Sequence, residues 1–334
     1  MSGPPPFGNV LPGTPADIER PQPQWISHAY PQAPPRPSLR GLVIAILLFL
    51  VTACTCLAAG AQFAASYANN RAASTEEFVR AFRMLFIHPT ALAPGLPFAL
   101  TLLTILLAHE LGHFFACRHH RIRSSYPLFI PFPSLIGTFG AFILIRSAIR
   151  TRRALFDVGA SGPLVGFVFA IPALVYGVIH AKFVPGIANA DKMEFVFGVP
   201  LAVKLTTMLV HPRVPANLLL LDPVGRAAWV GLFATSLNLL PSGQLDGGHI
   251  LRSVSTRLHW IISWLLPLLL VALGFFLHWS GWFIWAGMLF ALRFLRLPPI
   301  YDATPLDRTR RWIALIALIV FLLSFMPAPV LSSY

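Results

Sequence analysis

The chain has 334 residues, of which 56% are hydrophobic and 11% charged, with a mean hydropathy of +0.70. Soluble domains are nearer half apolar and a quarter charged, so an ordinary soluble protein is excluded in favour of a polytopic membrane protein with spans of about 20 apolar residues. The net charge of +13 would suit nucleic acid in a soluble chain. Here the arginines cluster beside apolar segments, where they orient the chain and meet anionic lipid. No aromatic-interleaved basic domain stands apart to bind nucleic acid. The three cysteines, Cys54, Cys56 and Cys117, lack the spacing of a metal site and read as small apolar fillers.

Residues 1 to about 38 are rich in Pro, Gly, Gln and Ser and are expected to form a disordered cytoplasmic tail. The first apolar run begins only near Gly41, so no cleavable signal peptide is expected. A first span is predicted from Gly41 to about Phe63. Arg36 and Arg40 before it place the N-terminus in the cytoplasm. Residues 66 to 95 mix Arg71, Glu76, Glu77, Arg80 and Arg83 with Phe and Leu, the pattern of a short amphipathic helix at the outer surface, ended by Pro89 and Pro94.

The second span, about Pro97 to Cys117, contains His109-Glu110-Leu111-Gly112-His113. Residues four apart share a helix face, so His109 and His113 present two imidazoles to one point, with Glu110 beside them as a general base. Such residues are costly in lipid, which points to a buried polar site rather than to polar groups capping the helix end. The span runs into Arg118-His119-His120-Arg121-Ile122-Arg123, a solvated basic loop on the cytoplasmic side. The metal is therefore expected within the membrane, nearer that face.

Residues 126 to 146 are apolar but interrupted by Pro127, Pro131, Pro133, Gly137 and Gly140. Strand formers and turn glycines there predict a re-entrant hairpin, against the alternative of a kinked interfacial helix. Its edge would suit an extended peptide held by strand addition. A third span is predicted from about Val158 to Ile179, with Gly159, Ser161, Gly162 and Gly166 permitting close helix approach. Residues 181 to 225 read as an outer segment that is a surface helix, a lid or a partial span, with His211 a loop histidine. Further spans are expected at about Ala227 to Leu240, Trp260 to Leu277, Gly281 to Leu295 and Trp312 to Met326, with Arg293, Arg296, Arg308, Arg310 and Arg311 in an inner loop.

Two histidines leave zinc short of the three protein ligands of a catalytic site. Asp246 follows an apolar span and precedes two glycines, and the spans leading to His109 and Asp246 run in the same direction, so both fall near one depth. His109, His113 and Asp246 are thus candidate ligands of one zinc ion. A water made acidic by the metal would attack a peptide carbonyl, and Glu110 would carry its proton to the leaving amine. Asn238 is a candidate for holding the substrate backbone or the oxyanion, and equally for an interhelical hydrogen bond. A turn cap is the plain alternative for Asp246. At the level of function, a metal transporter or channel is the alternative to a protease.

His109-Glu110-Leu111-Gly112-His113 together with Asn238-x-x-Pro241-x-x-x-Leu245-Asp246-Gly247-Gly248 resembles the site-2 protease family of intramembrane zinc metalloproteases. Gly137-Thr138-Phe139-Gly140 and Ser161-Gly162-Pro163 also resemble family segments. The resemblance covers about residues 97 to 256 and implies a three-helix catalytic core, zinc held by His109, His113 and Asp246, and Glu110 as base. It implies a transmembrane protein or peptide substrate, unwound before cleavage. No inserted PDZ-like domain is seen, as in the PDZ-less bacterial and plastid-type members. The resulting expectation is an all-α polytopic protein of six to eight transmembrane helices with a re-entrant β-hairpin-like segment, in a bacterial inner membrane. Its parts are a tail at 1–38, a first span and outer segment at 39–96, the core at 97–256 and C-terminal helices at 257–334.

Overall fold

The computed structural model describes residues 38–184, 194–294, 300–302 and 304–332. The expected tail falls outside them apart from Ser38, as does Arg296 of the expected inner loop. Ser38 opens helix α1 (Leu39–Ala68), its Oγ accepting the Gly41 N–H at 3.2 Å. At 1.5 Å per residue, α1 is about 45 Å long, more than the hydrocarbon of a bilayer. Strand β1 (Ala73–Ser74) leads to α2 (Thr75–Ile87), the expected amphipathic helix, capped by Ser74 and with Glu76 and Glu77 in its first turn. Acidic groups there complement the helix dipole.

A 3-10 turn (Pro89–Gly95) feeds α3 (Leu96–His119). A Cβ added at Gly95 would lie 2.9 Å from the Gly60 carbonyl carbon, so α1 and the entry to α3 touch backbone to backbone. After α3 come β2 (Leu128–Pro131) and β3 (Thr138–Phe142), an antiparallel hairpin with an irregularity at Ile130/Pro131. Gly137, at φ +80°, lies against the backbone of Thr55 and Cys56. A side chain there would be strained and would collide, which explains a glycine in this turn.

Helix α4 (Arg152–Ile179) starts about six residues before the expected span, because Thr151 caps it by accepting the Ala154 N–H at 3.2 Å. The outer segment then holds β4 (Lys182–Phe183), β5 (Glu194–Phe197), α5 (Leu201–Val210) and β6 (Leu219–Leu220). Helices α6 (Pro223–Asn238), α7 (Asp246–Val254), α8 (Thr256–Phe276), α9 (Gly281–Leu292), α10 (Arg308–Ser324) and strand β7 (Val330–Ser332) complete the order. The fold is helical with three small sheets, β1-β5-β7, β2-β3 and β4-β6.

Among the described residues, four helical stretches are long and apolar enough to cross a membrane: Leu39–Ala68, Pro89–His119, Arg152–Ile179 and Thr256–Phe276. The other expected spans are helices of 16 (α6), 12 (α9) and 17 residues (α10). The main core joins α1, α3, α4 and α6 through Phe63, Phe98, Leu102, Ile105, Leu174 and Leu232. Helix α4 is the hub, packed against α3, α6 and α7.

Candidate metal centre

Helix α3 carries His109, Glu110 and His113 well inside the molecule, at 4%, 4% and 6% exposure. Their helix reaches such burial by leaning on a run of glycines in α4. A Cβ at Gly166 would lie 3.1 Å from His109 Nδ1, and one at Gly162 would overlap the His113 ring, whose Cδ2 and Cε1 it would meet at 2.5 Å. On the same face, a Cβ at Gly159 would come within 3.0 Å of the Asp246 carbonyl. Glycines at these positions leave room for imidazoles where side chains would stand.

Asp246 enters at the first turn of α7. The two glycines after it have a packing reason: a Cβ on Gly248 would sit 2.6 Å from the Gly243 and Ser242 carbonyls, and one on Gly247 would strike the Leu239 carbonyl. The chain can therefore fold α7 tightly back over the end of α6. The Asp246 carboxylate faces both imidazoles rather than serving only as a turn cap. His109 Nε2 to Asp246 Oδ2 is 3.3 Å, His113 Nε2 to Asp246 Oδ2 is 3.2 Å, and His109 Nε2 to His113 Nε2 is 3.1 Å.

This triangle can be tested against zinc. Ligand atoms about 2.0–2.1 Å from a tetrahedral ion are separated by roughly 3.3 Å, which matches all three edges. His113 Nδ1 donates to the Val158 carbonyl at 2.7 Å, so the tautomer leaves the Nε2 lone pair facing the triangle. Three closely spaced acceptors of this kind fit a divalent cation. Among the described residues it is the one group of its kind.

Around the triangle lies a cavity of about 200 Å³ lined by Glu110, Asn238, Gln244, His249 and the Ala141–Ile143 stretch. Glu110 and Ile143 line the cavity together. Asn238 Nδ2 lies 3.3 Å from His109 Nε2, at the edge of the triangle. The hairpin thus runs along the site, and β3 pairs only with β2 among the described strands. His249 was missed from sequence. It lies one turn beyond Asp246 on α7, and its buried Nδ1 has no hydrogen-bond partner among the described residues. The three-residue spacing from Asp246 was the signal that could have found it. His120 stands elsewhere, paired with Asp157 at 2.8 Å, and His211 is bonded to the Val178 carbonyl at 3.0 Å.

Comparison with known proteins bears on this arrangement. The family model described as peptidase family M50 matches residues 97–264, half of the chain. The probable zinc metalloprotease EGY1, chloroplastic, of Oryza sativa subsp. japonica is 30% identical over 226 residues, covering 63% of this chain and 37% of its own. Its namesake in Arabidopsis thaliana is 29% identical over 306 residues, 85% of this chain and 53% of its own. The probable zinc metalloprotease EGY2, chloroplastic, of Arabidopsis thaliana is 33% identical over 170 residues, 50% of this chain and 30% of its own. The chain spans about half the length of these relatives or less. No solved structure matches it. The matched stretch contains the helix-borne histidines, the hairpin, the glycine-rich helix and the aspartate, and on that match the chain belongs to peptidase family M50, the site-2 protease family.

Proposed function

We propose that this protein is an intramembrane zinc metalloendopeptidase that hydrolyses peptide bonds of membrane-protein substrates within or near the bilayer. The observation carrying the proposal is the zinc-sized triangle of His109, His113 and Asp246 with Glu110 beside it, below apolar helix surfaces. Zinc held there supplies Lewis acidity and brings the pKa of a water towards about 7. Glu110 takes the proton of the attacking water and hands it to the leaving amine. Asn238 donates from Nδ2 towards the developing oxyanion. The unpaired edge of β3 takes the extended backbone of an unwound substrate helix as an added strand and lays its carbonyl over the cavity. A transport path would call for further ligand sets along the spans, and among the described residues the one group gives that reading no support.

In this reading residues 97–256 are the catalytic core, residues 257–334 are C-terminal helices, and α6, α9 and α10 add spans to the four long ones. The hairpin lies at membrane depth. The arginine-rich ends of α3, α4 and α10 face the cytoplasm, as the positive-inside rule requires, and the N-terminus with them. The relatives are named as chloroplastic, so they lend the bacterial inner membrane no support.

Cleavage of a reporter transmembrane substrate by purified protein in detergent tests the proposal. Wild type should cut it, a zinc chelator should stop it, and Glu110→Gln should be inactive with its zinc intact. Full activity in Glu110→Gln would refute the mechanism.

A further inference from the structure

On the face of α3 turned away from the metal triangle, α3, α4 and α10 enclose an open groove of about 800 Å³. Its walls are mostly apolar: Leu107, Leu111 and Phe115 from α3, Leu164 and Phe169 from α4, and Ile313 from α10. From Thr104 to His120, α3 rises about 24 Å, longer than one leaflet of roughly 15 Å. The ionisable residues that line it, His119, His120 and Asp157, all stand at one end.

The helix ends that meet there carry more arginines than carboxylates. The Asp157 carboxylate is already satisfied: His120 Nε2 lies 2.8 Å from Oδ2, and Arg310 donates from Nε to Oδ1 at 2.8 Å and from Nη2 to Oδ2 at 2.6 Å. Arg310 also holds Asp307. These bonds draw the end of α3 and the starts of α4 and α10 together. Arg118 and Arg121 flank His119 and His120 in sequence, Arg153 precedes Asp157 by one helical turn and Arg308 and Arg311 flank Arg310, and all five are exposed. The carboxylates at these helix ends are Asp157, Asp302 and Asp307, fewer than the arginines.

We infer that this groove is a binding site for an anionic phospholipid, with an acyl chain along the apolar walls and the phosphate among the arginines at the mouth. Charge complementarity selects this occupant. A neutral lipid or an apolar helix would fill the walls and leave the cationic mouth unmatched, whereas an anionic headgroup meets it at the leaflet surface, where each arginine contributes to attraction. The lipid would sit close to the metal ligands. Ser161, which lines the groove, donates from Oγ to the Val158 carbonyl at 3.1 Å, the same carbonyl that accepts from His113 Nδ1. The inference does not depend on peptide hydrolysis.

The test uses the whole protein, delipidated in neutral detergent and titrated with phosphatidylglycerol or phosphatidylcholine while bound lipid is counted by native mass spectrometry. One phosphatidylglycerol should be retained per chain, in preference to phosphatidylcholine. The Arg308→Gln, Arg311→Gln double variant should weaken phosphatidylglycerol about tenfold and leave phosphatidylcholine unchanged. Val165→Trp, which fills the groove, should lower the retention of both. Bound zinc and helical circular dichroism establish that each variant is folded, and the charge variant, confined to exposed positions, stands even where the filled one does not fold. Equal retention of the two lipids, or phosphatidylglycerol binding unchanged in the charge variant, would overturn the inference. So would a photo-crosslinker at Phe115 that captures a second protein chain instead of lipid.

Discussion

The two faces of α3 are opposites. One face carries His109, Glu110 and His113 at 4–6% exposure, and the other displays Leu100 at 62% and Phe115 at 59%. In water that arrangement would be inside out. In lipid it is the stable one, because ionisable groups are costly against hydrocarbon whereas exposed Leu and Phe are already among their own kind. The packing differs too. The polar face sits against a run of glycines without space for one added carbon, while the apolar face opens into a groove. The contrast teaches that this helix is precise on one side and tolerant on the other.

Substitutions along α3 and its neighbours can break or sharpen that contrast. The largest effect belongs to the reaction itself. Glu110→Gln should lower the cleavage rate by about 10²–10⁴ with zinc content unchanged, measured by reporter cleavage and metal analysis on the same sample. Asn238→Ala should follow with a loss of about 10²–10³ in kcat if its amide meets the oxyanion, and an unchanged rate would return Asn238 to the role of an interhelical hydrogen bond. Gly162→Ala adds only a methyl group, yet it should weaken zinc about 10–100-fold, read by chelator competition, because the new carbon displaces the His113 ring from the triangle. At the tolerant end, Phe115→Ala should change thermal stability by less than about 0.5 kcal/mol and leave zinc affinity untouched, since the side chain faces outward. A Phe115→Ala effect as large as that of Gly162→Ala would erase the distinction between the two faces.

Much of this was legible beforehand because it is local. The spacing of His109 and His113, the apolar runs and the proline and glycine interruptions of 126–146 each act within a few residues. Helices and hairpin follow from them, with boundaries displaced chiefly where a cap such as Thr151 starts the helix early. The seven expected spans divided into four long helices and several shorter ones, since hydropathy marks apolar surface and does not fix where the backbone stops being helical. Gly159, Gly162 and Gly166 were read as allowing close approach, but what they approach was not visible. His249 went unnoticed because a single histidine after a glycine pair carries no signal until Asp246 is known to point inward.

By itself the sequence determined the solvent, the helical class and the chemistry: apolar runs long enough for lipid, two imidazoles on one helix face, and a carboxylate followed by glycines. Tertiary structure alone decided that the three ligand atoms meet within 3.1–3.3 Å, that β3 runs beside them and that α3 keeps an open groove behind. The reason is physical. Residue type and spacing act through near neighbours along the chain, whereas bringing Asp246 to His109 depends on how α4 packs on α3 and α7 on α4, a balance of many small contacts that no single stretch of sequence contains.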